Sequence, residues 1–389
     1  MPPRPRLLHL TATDMSLELL LGPQLAAFAG AGYEVLGASA PGPYVEALER
    51  AGVRHVPLRH ATREVSPGRD ALAVAELVRV FRALRPDVVH THNPKPGVYG
   101  RLAARAASVP VVVNTVHGLY ALPDDRRAKR ALVYGLERMA AACSGAELVQ
   151  NPEDLETLAR VGVPRDRLHL LGNGIDLRRF DPAAVDPERT AAVRAEIGAR
   201  PGDVVCGAVG RLVWEKGYRQ LFAAATALRP QVPELRVVVV GPQEAGKADA
   251  LDDADLERAR AEAGVHFLGV RHDLEALYPA MDLYVLASRR EGFPRSAMEA
   301  AAMGVPVVAT DVRGCRQVVD HGRTGLLVPG GDAPALASAI AQLARDADLR
   351  ARMGAAARAK ALAEFDQQRV IDLTLAVYAE LLGRRWARA

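Results

Sequence analysis

Short runs of Val, Leu and Ile recur along the chain at RLLHL (6–10), YEVLGAS (33–39), VRHVPL (53–58), DVVHTH (87–92), VPVVVNTV (109–116) and AELVQ (146–150). They are strand-length and bounded by turn residues, so they predict β-strands. Between them, residues 16–30, 70–84, 97–107 and 126–142 carry apolar positions at helical spacing. Strands alternating with helices of this length predict βαβ units, a parallel sheet and right-handed crossovers.

The alternation breaks after Gly172, where NGIDLRRFDPAAVDPER holds two prolines and no strand-like run. This stretch predicts an interdomain linker, placed over residues 181–201. The pattern restarts at DVVCGAVG (203–210) and continues through LRVVVVG (235–241), VHFLG (265–269), DLYVLAS (282–288), VPVVAT (305–310) and TGLLVP (324–329). A second parallel sheet is therefore expected within residues 202–365. The tail after Asp332 lacks a strand signal and reads as helices, the last from about Gln367 to Arg384. Residues 366–389 are expected to pack back toward the first domain, residues 1–180. The fold class is α/β, two doubly wound domains in series with a cleft between them.

A chain of 389 residues is long enough for two cores, and 49% hydrophobic with only 5% aromatic residues suits helices packed over parallel strands. Three scattered cysteines, Cys143, Cys206 and Cys315, form neither a disulfide framework nor a metal-spaced cluster. No signal peptide and no transmembrane run is expected, and the expected location is cytoplasmic. Basic residues outnumber acidic ones 23 to 18 through Phe180, against 27 to 28 beyond it. The local concentration Arg126, Arg127, Lys129 and Arg130 is either a surface for anionic lipid or a phosphorylated acceptor, or a solvated helix face. Nucleic acid is not an expected partner, since the basic residues match no binding motif.

Ligands of doubly wound sheets bind beyond the carboxyl ends of strands, so residues following strands are the informative ones. GRLVWEKGY (210–218) places Arg211 and Lys216 on such a turn, where a bidentate guanidinium and a point-charge ammonium can clamp a diphosphate. SRREGFPRSAMEAAAMGVPVVAT (288–310) follows another strand. Pro294 suits the first turn of a helix, leaving Glu291 in the loop and Glu299 about one and a half turns inside. Carboxylates accept hydrogen bonds from vicinal hydroxyls, and the backbone N–H groups of Gly292 and Phe293 suit anionic oxygens.

EGFPRSAME, GRLVWEKG and NGID together resemble the retaining GT-B glycosyltransferases of family 4, over nearly the whole chain. HTHNPKPGVYGRLAAR (90–105) and NTVHG (114–118) are similar to bacterial members that build polysaccharides, glycolipids or glycosylated secondary metabolites. The resemblance implies a first domain that binds the acceptor and a second that binds a nucleotide-sugar, with UDP the expected nucleotide. It implies Arg211 and Lys216 on the diphosphate, Glu299 on the ribose, Glu291 orienting the transferred sugar and His117 facing that sugar. Val270 and Arg271 fall where the family packs its nucleobase. His92 and Lys95 are assigned to the acceptor, either a lipid-linked saccharide or a small molecule. No metal and no cofactor is expected, although His90, His92 and His117 invite the question. Of His90 and His92, which flank Thr91, one is expected to face the cleft and the other the core.

In one respect the chain departs from the family. Where members often carry two glycines after the first strand, this loop reads TATDMSLE (11–18), with Asp14 or Ser16 expected to cap the next helix. Two rival readings are a sugar-nucleotide 2-epimerase of the same fold and a non-catalytic partner subunit.

Overall fold

The computed structural model describes residues 4–62, 66–92, 94–121, 125–244 and 247–386. The chain divides into two compact units, Met1–Gly172 with Gln368–Ala389, and Asn173–Gln367.

The first unit is built on seven parallel strands, β1 (Arg6–Thr13), β2 (Glu34–Ala40), β3 (Arg54–Pro57), β4 (Val88–His92), β5 (Val111–Val116), β6 (Ala146–Val149) and β7 (Leu168–Leu170), in the order β3-β2-β1-β4-β5-β6-β7. Helices cover both faces, so consecutive residues of a central strand are buried alike: Leu7, Leu8 and Leu10 are each fully buried, and every residue of β5 is buried. The helix Gln367–Trp386 joins this core through Val370, Ile371, Val377, Tyr378 and Leu382. That spacing lines one helical face, which packs with Leu7, Phe28, Val88 and Val113.

The second unit repeats the plan with six strands, β8 (Val204–Val209), β9 (Leu235–Val240), β10 (Val265–Phe267), β11 (Leu283–Leu286), β12 (Val307–Thr310) and β13 (Gly325–Val328), ordered β10-β9-β8-β11-β12-β13. In both sheets the order reverses direction between the first and fourth strands. That switch point opens a crevice at the strands' carboxyl ends.

Three local expectations change. Residues 181–201 belong to the second unit and carry the helix Pro187–Glu196, which buries Val193 in that unit's core with Ile197 just beyond it. β7 has only three residues, none of them fully buried, too short and too exposed to stand out as an apolar run. After β1, neither Asp14 nor Ser16 caps the helical turn Ser16–Leu20. Asp14 is buried instead, accepting from the backbone N–H of Met15 and of Tyr44.

Candidate functional site

In the second unit the loops that leave β8 and β11 meet at the switch point. The turn after β8 closes on Gly217, whose φ is 79°. A Cβ there would lie 1.9 Å from the Ala287 carbonyl oxygen, so both conformation and space demand glycine. This close approach sets the preceding dipeptide against the loop after β11. The Arg289 N–H donates to the Glu215 carbonyl (3.0 Å), Arg290 donates to Glu215 Oε1 (2.5 Å), and Lys216 Nζ donates to Glu291 Oε1 (2.7 Å). Glu215 and Lys216 thus pair with Arg290 and Glu291 in alternating sign, which fixes where the Lys216 ammonium stands.

Arg211 lies on the same turn but donates to Glu244 Oε2 (2.8 Å), which also meets Lys247 Nζ (3.2 Å). Burial pushes the Glu244 carboxyl up, yet Arg211 and Lys247 outweigh it and hold the carboxyl below its ordinary value. The Tyr218 phenol feels the charge of both Arg211 and Glu291, donates to the Gly210 carbonyl (3.0 Å) and is raised by burial.

Glu299, on the helix Arg295–Ala302, sits deeper. Only 8% exposed, it accepts from the Tyr278 hydroxyl (2.8 Å), and burial raises its carboxyl above the ordinary value. The Tyr278 ring meets Tyr284 edge-on at 5.9 Å, and Tyr284 donates to Ser296 and lies 3.2 Å from the Val209 carbonyl at the end of β8. Lys216 and Glu291 are therefore in direct contact, Arg211 is turned to Glu244, and Glu299 is bonded to Tyr278.

The loop that carries Glu291, Gly292 and Phe293 is fastened from outside. A Cβ on Gly314 would lie 2.6 Å from the carbonyl oxygens of Glu291 and Gly292, so a second backbone runs hard against them. Asn173 donates to the Phe293 carbonyl (3.0 Å), and the Phe293 ring meets Phe365 edge-on at 5.9 Å. Pro294 is the extended cap residue rather than part of the first turn. Beyond β10, Val270 is 56% exposed. Arg271 is clamped between Asp273 and Glu196, whose hydrogen bonds raise its guanidinium above the usual value.

In the first unit, His92 and His117 are hydrogen-bonded at 2.9 Å with rings stacked at 5.2 Å. Contrary to expectation, His90 and His92 share one face of β4: their rings stack 4.5 Å apart, and both are buried. Residues two apart on a strand point the same way, and it is Thr91 that turns to the other side, donating to Asn114. Lys95, only 14% exposed in its side chain, pairs with Asp70 (2.6 Å) and donates to Thr62 (3.1 Å). Sequence reasoning passed over Glu244, Tyr218 and Tyr278. Only Glu244 carried a signal, as the acidic residue of the loop after β9.

Against this geometry, residues 203–346 match the model for glycosyl transferases group 1 and residues 24–179 that for glycosyltransferase family 4. The chain is 32% identical over 364 residues to a D-inositol 3-phosphate glycosyltransferase of Salinispora arenicola, covering 88% of this chain and 80% of that protein. It is 30% identical over 292 residues to the UDP-Gal:alpha-D-GlcNAc-diphosphoundecaprenol alpha-1,3-galactosyltransferase of Escherichia coli, covering 73% of each. A crystal structure of Anabaena HepE in complex with UDP and glucose superimposes with a TM-score of 0.81, at 23% identity, over 97% of this chain and all of that one. The chain belongs to the family-4 glycosyltransferases and has their GT-B fold, each half a doubly wound parallel sheet.

Proposed function

We infer that this glycosyltransferase takes its sugar from a nucleoside diphosphate donor and passes it, with retention, to an acceptor hydroxyl. The observation that carries the reading is the Lys216–Glu291 pair at the switch point of the second sheet, with Arg211 on the same turn. As the anomeric bond breaks, negative charge grows on the departing diphosphate. Lys216, Arg211 and the N-terminal end of the helix Arg295–Ala302 are the groups assigned to stabilise it. Glu291, held at Lys216, is assigned to the hydroxyls of the transferred sugar, and Glu299 to the ribose diol. Gly292 and Phe293 are assigned to the phosphates, and Val270 and Arg271 to the nucleobase. His117 is assigned to the transferred sugar and Lys95 to the acceptor side; both ring nitrogens of His92 are taken by His9 and His117, so it stands behind His117 and not on the acceptor. No resident metal or cofactor enters this scheme, because fixed cations supply the charge. The UDP named for the Escherichia coli relative and for the HepE complex favours a UDP-sugar.

A panel of UDP- and GDP-sugars, offered with undecaprenyl-diphosphate-linked saccharides and with soluble polyols, tests this by release of nucleoside diphosphate. One donor is expected to turn over, giving a product heavier than the acceptor by one glycosyl residue. A donor isomerised at unchanged mass would instead favour the epimerase reading. No turnover of any donor would favour a partner subunit.

A lipid-linked acceptor is supported by the outer face of the helix Arg127–Ala141. Leu132, Leu136 and Met139 are exposed at spacings of four and three, 63%, 38% and 47% respectively, on a segment that also exposes Arg126, Arg127 and Arg138. Lys129 contributes less, its charge being matched by Asp125 at 2.7 Å. Among the described residues no helix is long and apolar enough to cross a membrane, and the contact proposed is a peripheral one. At about 1 kcal/mol per basic residue near an anionic surface, changing Arg126, Arg127 and Arg138 together to Gln should weaken binding to phosphatidylglycerol vesicles on the order of a hundred-fold at low salt. Unchanged co-flotation of that variant would return the helix to being a solvated face.

A further inference from the structure

The switch point of the first sheet holds four histidines that the proposed chemistry uses only in part. His9 on β1, His90 and His92 on β4, and His117 just after β5 come together with Tyr378 from the helix Gln367–Trp386. His92 Nδ1 lies 2.9 Å from His117 Nε2, and His92 Nε2 lies 3.0 Å from His9 Nδ1. His9 Nε2 is 3.5 Å from the Tyr378 hydroxyl, which makes a short hydrogen bond with His90 Nδ1. His90 Nε2 ends the chain on Thr115 Oγ1 at 2.7 Å. At the other end the His117 side chain is hydrogen-bonded to Gln150. His9, His90, His92 and Tyr378 are buried, whereas His117 is partly open.

The ligand atoms of His9, His90 and His92 lie within 4.8 Å of one another, close enough to raise the question of a metal. Their nitrogens, however, point along the line to the next ring, and the rings are stacked or tilted 4.5–5.3 Å apart rather than aimed at a common centre. This is the geometry of a hydrogen-bonded row.

Burial draws the His9 imidazole down to about 3 and lowers His90 and His92 well below the usual value, the neighbouring rings adding to the effect. His117 is lowered to about 4, again by burial. All four rings are neutral near pH 7. A neutral imidazole has one N–H and one lone pair, so an inner ring that donates on one side must accept on the other. The bonds from His117 through His92 to His9 must then run in one direction, and the Tyr378 hydroxyl sets which way by donating its one proton either to His90 or to His9. If the Tyr378 hydroxyl donates to His90, it accepts from His9, His9 accepts from His92, and His92 accepts from His117. If the direction reverses, every tautomer reverses with it.

We propose that His92, His9 and Tyr378 are positioning residues for His117, the row of one-way hydrogen bonds fixing from the C-terminal helix whether the His117 nitrogen that does not bond His92 carries the proton. The consequence for catalysis rests on the reading of His117 as the ring that meets the transferred sugar; the tautomer coupling itself does not. Tyr378 is the point where the direction can be broken without removing a ring, because Phe keeps its packing against Phe28 and Tyr33.

The test is a long-range 1H–15N spectrum of the full chain labelled at histidine, recorded near pH 7 for the native protein and for Tyr378→Phe. The native His117 signals, assigned through His117→Gln, are expected to show a single tautomer. In Tyr378→Phe they should move toward a mixture of both. Where that variant does not fold, Thr115→Val breaks the row at its other end and should shift His117 in the same way. His117 signals already mixed in the native protein, or unmoved by either change, would overturn the proposal. Turnover of the donor found by the sugar panel gives the second readout: Tyr378→Phe should lower kcat on the order of ten-fold with little change in KM. Full activity of His117→Gln would remove its contact with the sugar while leaving the 15N coupling to stand or fall separately.

Discussion

Replacing Lys216 with Ala is expected to lower kcat by about 10²–10³-fold, the loss seen when one fixed group that stabilises developing negative charge is removed. The expectation follows from how the ammonium is held. Gly217 presses the turn against Ala287, Glu215 is tied to Arg290, and Lys216 Nζ stands 2.7 Å from Glu291. A cation fixed this way needs little reorganisation as the diphosphate leaves, which is where its advantage over a mobile surface lysine lies. Its side chain is 25% exposed and belongs to no apolar core, so the cost to the fold is confined to leaving Glu291, 11% exposed, without its partner, about 1–3 kcal/mol. Lys216→Arg should not restore the rate in full, because a planar fork cannot occupy the place of a compact ammonium without displacing Glu291. The measurement is nucleoside diphosphate release alongside thermal unfolding. Native kcat in Lys216→Ala would remove the residue from the chemistry. A large fall in melting temperature would make it structural instead.

The pairing of Lys216 with Glu291 was legible because both residues follow strands of a doubly wound sheet, and such loops converge wherever the strand order reverses. The glycine that makes the convergence tight was also on view in the motif, though its reason, the Ala287 carbonyl, lies in another strand. Glu244 was visible only as an acidic residue in a loop after a strand; nothing in the sequence paired it with Arg211, 33 residues away. The histidine row was half visible. His90, His92 and His117 announced themselves, but His9 looked like one polar residue in an apolar strand, and Tyr378 is 288 residues from the His90 it bonds. The prolines of residues 181–201 read as breakers in the sequence but sit at helix starts in the structure. Pro182 and Pro187 open helical turns behind Asp181 and Asp186, whose side chains accept from Ala183 and Glu188, an arrangement that starts helices.

Arg101→Met should destabilise the first unit by roughly 3–5 kcal/mol, the cost of leaving buried charge without its partner. Arg101 is fully buried on the helix Lys95–Ala106, donating to the Gly97 carbonyl (2.6 Å), Glu147 (2.7 Å) and Glu137 (2.6 Å). Asn114 and Ser144 also donate to Glu147, so the two carboxylates are well bonded but share one guanidinium. Burial, the largest influence on Glu137, pushes its carboxyl above the ordinary value even with Arg101 in place. Without Arg101 that rise must grow, and the sign of the pH effect follows. A carboxyl whose folded value is raised favours the folded state only while it is protonated, and that advantage is lost as pH rises through the folded value. The deficit of Arg101→Met should therefore be largest at neutral pH and shrink on acidification. Denaturant unfolding across that range measures it. Changing Glu137 and Glu147 to Gln in the same chain should recover most of the loss, since neutral amides need no counter-charge. A deficit independent of pH, or no recovery in the triple variant, would mean that Arg101 acts through packing volume and not through charge. Because Glu137 anchors the inner side of the helix Arg127–Ala141, the same variant should loosen the face that carries Leu132, Leu136 and Met139. Vesicle binding should then fall together with stability, and recover with it.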